Sequence, residues 1–221
     1  MRTITVRGVG KASVKPDLIV INISIESKRR EYSEAFKRAG EKIEALRQAI
    51  INSGFDEKDL KTTDFKVDTV EKDTKDRYGN WQSVFDGFRC SHKLKLEFDF
   101  DTEKLGKVLD NLSKCDGRPN FKINFSLKDP SVISDELLIS ATENAKNKAE
   151  VICKASNVEL GELLSINYNW TDVNIFSNTD LTFDDYREFG ECSFGSSALA
   201  EDMEPDDIEA SDSASFVWEI K

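Results

Sequence analysis

The sequence predicts an α+β fold: an antiparallel sheet with helices packed on one face, made of a ferredoxin-like βαββαβ run plus a third long helix and C-terminal strands. Three observations lead there. Apolar and polar residues alternate at period two in several segments, the pattern of strands covered on one side only. Between them apolar residues recur every three or four positions, as on the buried stripe of a helix. The order of these segments from 17 to 127 is strand, helix, strand, strand, helix, strand, which is the split βαβ arrangement.

In chain order, a short opening strand leads to Gly8-Val9-Gly10-Lys11-Ala12-Ser13. That stretch lacks the third glycine of a dinucleotide fingerprint, and Pro16 precedes a strand where the fingerprint needs a helix. It reads as a bend or bulge where glycine relaxes the backbone. Ile19, Ile21, Ile23 and Ile25 then alternate with polar or smaller residues. Tyr32, Phe36, Ala39, Ile43, Leu46 and Ile50 mark the first helix, stopped at Gly54. Phe65 and Val67 mark a short strand, and residues 71–83 read as an exposed hairpin loop with Tyr78-Gly79-Asn80 at its tip. The longest alternation runs from Phe88 through Cys90, His92, Leu94, Leu96 and Phe98 to Phe100. Leu105, Val108, Leu109 and Leu112 give a second helix, with Asp101 or Thr102 as its N-cap. Phe121, Ile123, Phe125 and Leu127 form a strand, and Leu138, Ala141, Ala145, Ala149 and Ile152 stripe a third helix whose alanines allow close packing on a sheet. Leu164, Ile166, Tyr168 and Trp170, and finally Ala214, Phe216, Trp218 and Ile220, supply the last strands. The third helix and last strands either join the first unit in one domain (1–221) or make a second lobe (1–127 and 128–221). Residues 172–207 are too long for an ordinary connection and read as an acidic insertion.

At 221 residues and 25.0 kDa the chain can bury about 70% of its unfolded surface, enough for a core without disulfides. No apolar run approaches the roughly 18 residues of a membrane span, and MRTITVRGVG lacks the apolar stretch of a secretory signal, so no membrane insertion and a cytoplasmic location are expected. Four cysteines without CxxC spacing and one histidine imply neither structural zinc nor another metal site, and no cofactor is implied. The net charge of −11 is local: residues 180–212 hold twelve acids against Arg187, while the remainder carries thirty acids and thirty Lys or Arg. Basic residues interleaved with acids argue against nucleic acid as a partner.

No catalytic constellation is found. A histidine base would have to be His92, whose register places it on the apolar face as a satisfied core residue. Cys192 lies among acids that disfavour its thiolate. Asp99-x-Asp101-x-Glu103 has Lys104 where a calcium loop needs glycine, so Asp101 reads as a helix cap. The acidic insertion carries apolar side chains, and its candidate partner-binding residues are Phe183, Asp184, Asp185, Tyr186, Phe189, Glu201 and Asp202. It is either a solvated excursion or a surface for a basic protein partner.

Val6-x-Gly8-x-Gly10 leading to Val14-x-Pro16-Asp17, Ala35 and Ala39 on the first helix, and Gly54 before Lys58-Asp59-Leu60-Lys61-Thr62 resemble the SIMPL (DUF541) family. Gly87-Phe88, Phe125-Ser126-Leu127, the alanine helix, Leu160-Gly161 and the closing strand continue the resemblance over nearly the whole chain except 172–207. It implies an α+β protein of no established enzymatic activity, often tied to the cell envelope or oxidative stress, with some members forming ring-like or channel-like oligomers. Gly8, Gly10, Pro16, Asp17 and Gly87 are then structural motif positions. The function expected is self-association, as a homo-oligomer, or partner binding. The competing expectation is a small-ligand or cation binder, or an enzyme using carboxylates in a pocket between sheet and helices.

Overall fold

The longest alternating run becomes the longest strand, Trp81–Asp99. The computed structural model describes residues 2–168, 175–183 and 203–221. Its elements are β1 (Arg2–Val14), β2 (Leu18–Arg29), α1 (Tyr32–Asn52), β3 (Lys61–Lys75), β4 (Trp81–Asp99), α2 (Thr102–Ser113), β5 (Asn120–Ser126), α3 (Ser131–Ala155), β6 (Leu160–Asn167), β7 (Phe176–Phe183) and β8 (Ile208–Ile220). One sheet has the order β3-β4-β2-β5-β7 and the other β1-β8-β6. With β4 and β5 flanking β2, and β3 outside β4, the segments from β2 to β5 make the ferredoxin-like arrangement. β7 falls inside 172–207, where no strand was read, because its inward positions are Ser177, Thr179, Leu181 and Phe183 and so alternate without being uniformly apolar.

Among the described residues, those within Met1–Asp17, Phe125–Thr179 and Pro205–Lys221 form one compact unit, and those within Leu18–Asn124 and Asp180–Glu204 another. β1 groups with the C-terminal strands because it pairs with β8 along its whole length, from Arg2↔Ile220 to Val14↔Ile208.

In the first unit α3 lies on β1 and β8, burying Ile133, Leu137, Ala141, Ala145, Ala149 and Cys153. The alanine stripe is as expected, but Leu137 and Cys153 hold its ends, with Leu138 half-buried and Ile152 exposed. Gly8 and Gly10 do not bend β1, whose pairing is unbroken. A Cβ on Gly8 would stand 2.0 Å from the Ala141 carbonyl oxygen and one on Gly10 2.0 Å from that of Leu137. The glycines are there to let a helix backbone rest on a strand backbone. Val6, Ala214, Phe216 and Trp218 complete this core. β6 departs from expectation: Leu164 and Ile166, read as its dry face, are exposed, because α3 covers β1 and β8 more than β6. Trp170 lies outside the described residues.

In the second unit Ile19, Ile21, Ile23 and Ile25, with Leu94, Leu96, Phe121 and Ile123, are almost wholly buried. Each such side chain contributes on the order of 2 kcal/mol by leaving water. α1 covers β2 and β4 through Ala35, Ala39, Leu46, Ala49 and Ile50. α2 packs beside α1 and buries Leu105, Val108, Leu109 and Leu112; its cap is Asp101, whose carboxylate accepts from the Lys104 amide at 2.9 Å. The expected hairpin loop shrinks to Asp76–Asn80 because β3 and β4 run out to Lys75 and Trp81. Asp76 ties that turn by accepting from the Tyr78 and Asn80 amides, which holds its carboxyl below the usual carboxylate range.

Candidate functional site

The sequence places Tyr32 and Phe36 on a buried helical stripe, yet 53% and 52% of their surfaces are exposed. The cause is geometric: α1 covers β2 and β4, so its first turn and the outer strand β3 leave apolar side chains uncovered. Phe65 of β3 is 45% exposed for the same reason, where alternation had made it core.

These rings form a row. Phe65 meets the His92 ring edge-on at 5.2 Å and Phe36 at 6.0 Å. Phe36 stacks on Tyr32 at 6.5 Å, Tyr32 meets Phe88 at 5.6 Å, and Phe88 meets Phe85 at 5.3 Å. Residues three apart on a strand normally point to opposite faces, so Phe85 and Phe88 would be separated. They are brought together by a bulge, where the pairing of β3 and β4 steps from Val70↔Gly87 to Glu71↔Phe85 and passes over Asp86. Gly87 makes this possible: its φ is +130°, and a Cβ there would stand 2.4 Å from the Arg29 carbonyl oxygen. The bypassed Asp86 binds Lys28 and, at 3.0 Å, Lys72, and these hydrogen bonds hold its carboxyl below its ordinary range.

At one end of the row stands His92, 9% exposed. Its Nε2 is 2.9 Å from the Thr62 hydroxyl, while Nδ1 has no hydrogen-bond partner among the described residues. Half of the expected satisfaction is therefore present. Burial, with the Arg47 charge adding to it, pushes the imidazole below its usual pKa. A ring that resists protonation among aromatics belongs to the packing of this edge. At the other end the hairpin carries Lys75 over the Trp81 ring at 4.9 Å and Arg77 over Tyr78 at 5.7 Å, and both rings are largely exposed.

The polar face of the same unit offers a shallow open depression of about 220 Å³, lined in part by Asn22, Ser24, Thr63, Lys93 and Lys122. Among the described residues no carboxylate or thiol lines it. Among the described residues no group of three His, Cys, Asp or Glu side chains stands close enough to hold a metal ion. Cys90, Cys115 and Cys153 are free and buried, and burial raises the thiol pKa of Cys90 and Cys115.

Of the residues singled out in the sequence, Gly8 and Gly10 seat α3, and Gly87 makes the bulge. Asp17, following the partly buried Pro16 in the β1–β2 turn, donates its amide to Ser126 O at 3.1 Å and accepts from the Lys128 amide at 2.8 Å. It pins that turn to the end of β5. Phe183 closes β7 and stacks on Phe121 at 4.7 Å, so this ring is part of the sheet's packing. Asp184, Asp185, Tyr186, Phe189, Glu201 and Asp202, like Cys192, lie outside the described residues. The sequence hides the aromatic row because Tyr32, Phe36, Phe65, Phe88 and His92 each fit a core pattern. The readable signal was Phe85, out of phase with Phe88 across a glycine.

The motif positions Gly8, Gly10 and Gly87 all have structural work in this fold, and the sequence profile of a family described as "SIMPL: Protein of unknown function (DUF541)" matches residues 4–218. The chain belongs to the SIMPL family. Among characterised relatives, this SIMPL chain is 23% identical over 163 residues to the "26 kDa periplasmic immunogenic protein" of Brucella melitensis and, to the same degree, to its namesake in Brucella abortus. The match takes in 74% of the chain and 65% of each relative, so about a third of each relative lies outside it. Both are named as periplasmic, which overturns the cytoplasmic expectation drawn from the opening residues. No helix among the described residues of the SIMPL chain is long and apolar enough to cross a membrane.

Proposed function

We propose that this SIMPL protein acts by association in the periplasm, binding a second copy or another protein without a catalytic step. One observation carries the reading: Tyr32, Phe36, Phe65 and Phe85, each about half exposed, stand in one row of ring contacts with Phe88 between them. Large aromatic side chains left partly in water at adjoining positions mark an interaction surface, whereas scattered ones do not. Periplasmic residence rests on the relatives' names, and the buried, free thiols of Cys90, Cys115 and Cys153 suit it, since enclosed thiols escape an oxidising compartment.

The competing reading, a pocket worked by carboxylates, is less favoured: among the described residues no carboxylate lines the depression on the polar face, and a second depression, lined by Lys11, Ala12, Ser13, Glu209, Ala210 and Ser211, brings in a single one.

Sedimentation at rising micromolar concentration tests the proposal. The protein is expected to self-associate, and Phe36→Ser with Phe65→Ser is expected to abolish association while leaving the circular dichroism spectrum intact. A wild-type chain that stays monomeric and captures nothing from periplasmic extract through this surface would end the reading.

A further inference from the structure

We infer that β3 is the edge through which two copies of this chain pair, strand to strand and antiparallel, about a two-fold axis at Val67. The inference rests on the self-association proposed above and names its contact. Among the described residues β3 has a strand neighbour, β4, on one side only. Backbone N–H and C=O groups along its other side are therefore available to a further strand. Between its two irregularities, at Thr62/Asp64 and Val70/Glu71, β3 runs from Asp64 to Val70 in unbroken register with β4.

The side chains of this stretch select the second copy as the occupant. An axis perpendicular to the sheet keeps every residue on its own face, so residues that oppose one another must differ by an even number of positions. With the axis at Val67, Lys66 faces Asp68 of the second copy and Asp68 faces its Lys66. Phe65 faces Thr69, Asp64 faces Val70, and Val67 meets its own counterpart, so no like charges oppose one another. Moving the axis to Lys66 sets Lys66 against Lys66 and Asp64 against Asp68. Moving it to Asp68 sets Asp68 against Asp68. Lys66 and Asp68 are already 3.0 Å apart within the strand, and their side chains are 65% and 29% exposed. In the pair they would join the two from the second copy in a group of four alternating charges.

The opposite face adds burial. Phe65, half exposed, and Val67, partly exposed, flank the axis, and Phe36 leans on Phe65. Pairing places the Phe65 and Val67 of both copies side by side and removes from water one end of the aromatic row. Charges and bulges on an edge discourage indiscriminate strand pairing. Here the same charges oppose the registers centred on Lys66 and Asp68; an axis at Phe65 also sets no like charges together, but it pairs only Asp64 to Lys66 within the unbroken stretch, whereas the axis at Val67 uses all of Asp64 to Val70. A contact that uses the same patch on both copies closes at two.

The test uses the full chain and sedimentation velocity, with Lys66→Asp, Asp68→Lys and the double exchange. Each single reversal creates two like-charge oppositions per dimer and is expected to weaken dimerisation at least about tenfold, and the double exchange to restore it. Wild-type association that all three variants leave unchanged would overturn the β3 contact and leave self-association standing. A wild-type chain monomeric at every concentration would remove both. Should a single variant fail to fold by circular dichroism, hydrogen exchange on the wild type decides: amides between Asp64 and Val70 should gain protection as concentration rises. Protection independent of concentration, as from the chain's own acidic segment, would overturn the inference.

Discussion

α3 and α1 each cover a sheet, by opposite means. Under α3 the strand β1 presents Gly8 and Gly10, and the helix answers with alanines, so at those positions backbone meets backbone. Under α1 the strands β2 and β4 present isoleucine and leucine, and the gap is filled by branched side chains. The first arrangement has no room for an added atom; the second suffers most when atoms are removed. The wider spacing of the second is also where apolar rings are left outside, at Tyr32, Phe36 and Phe65. A seam closed by glycine leaves nothing apolar uncovered at its contact points, whereas a seam filled with side chains can run past its helix and leave rings in water.

Adding methyl groups at the glycine seam should break this comparison most clearly. Gly10→Val places a Cβ on the Leu137 carbonyl oxygen and is expected to destabilise the fold by at least about 3 kcal/mol, read as a fall in the urea midpoint. Truncation tests the other seam: Leu46→Ala, at a fully buried site, should cost about 3 kcal/mol by the same measurement. Gly87→Ala forces a side chain into a backbone conformation that resists it and toward the Arg29 carbonyl oxygen; about 2 kcal/mol is expected. It should also disturb the Phe85–Phe88 contact, visible in near-ultraviolet circular dichroism. The smallest effect is the pH dependence of His92. Its folded pKa lies below the ordinary value near 6.5, so the neutral ring's contribution is whole above that pH. As pH falls through it, the unfolded chain takes up the proton first and stability declines until the folded value is passed. The melting temperature of the wild type should therefore drop by more between pH 7.5 and pH 5.5 than that of His92→Gln; equal slopes would show that the ring does not titrate between the two states.

Much of the architecture was legible in the sequence. Ile19 to Ile25, Phe88 to Phe98, Phe121 to Phe125 and the alanine helix lie in central positions, where neighbours on both sides enforce the alternation or stripe that the chain displays. At the margins the same code misleads. Phe65 and Ile166 alternate properly but sit on outer strands that the helices cover only in part, and nothing in their spacing reveals which strands will be outermost. β1 was read as short because Gly8 and Gly10 occupy inward positions where an apolar residue would have signalled a strand. β7 was missed because Ser177, buried against the Asp206 carbonyl, stands where Val or Ile would ordinarily announce one. The candidate surface was hidden for a related reason: a ring that packs and a ring that waits for a partner have the same letter.

The pairing of Arg2 with Ile220 has a consequence for how the molecule is made. During synthesis the first strand emerges with no companion, since β8 is its only neighbour among the described residues and is the last strand to appear. The seat of α3 cannot be finished until β8 is present, and a chain cut short before Ile208 leaves β1 without that neighbour and α3 without much of its support. The first unit is thereby closed by two strands far apart along the chain, a long-range pairing that loop-closure entropy makes slow to form.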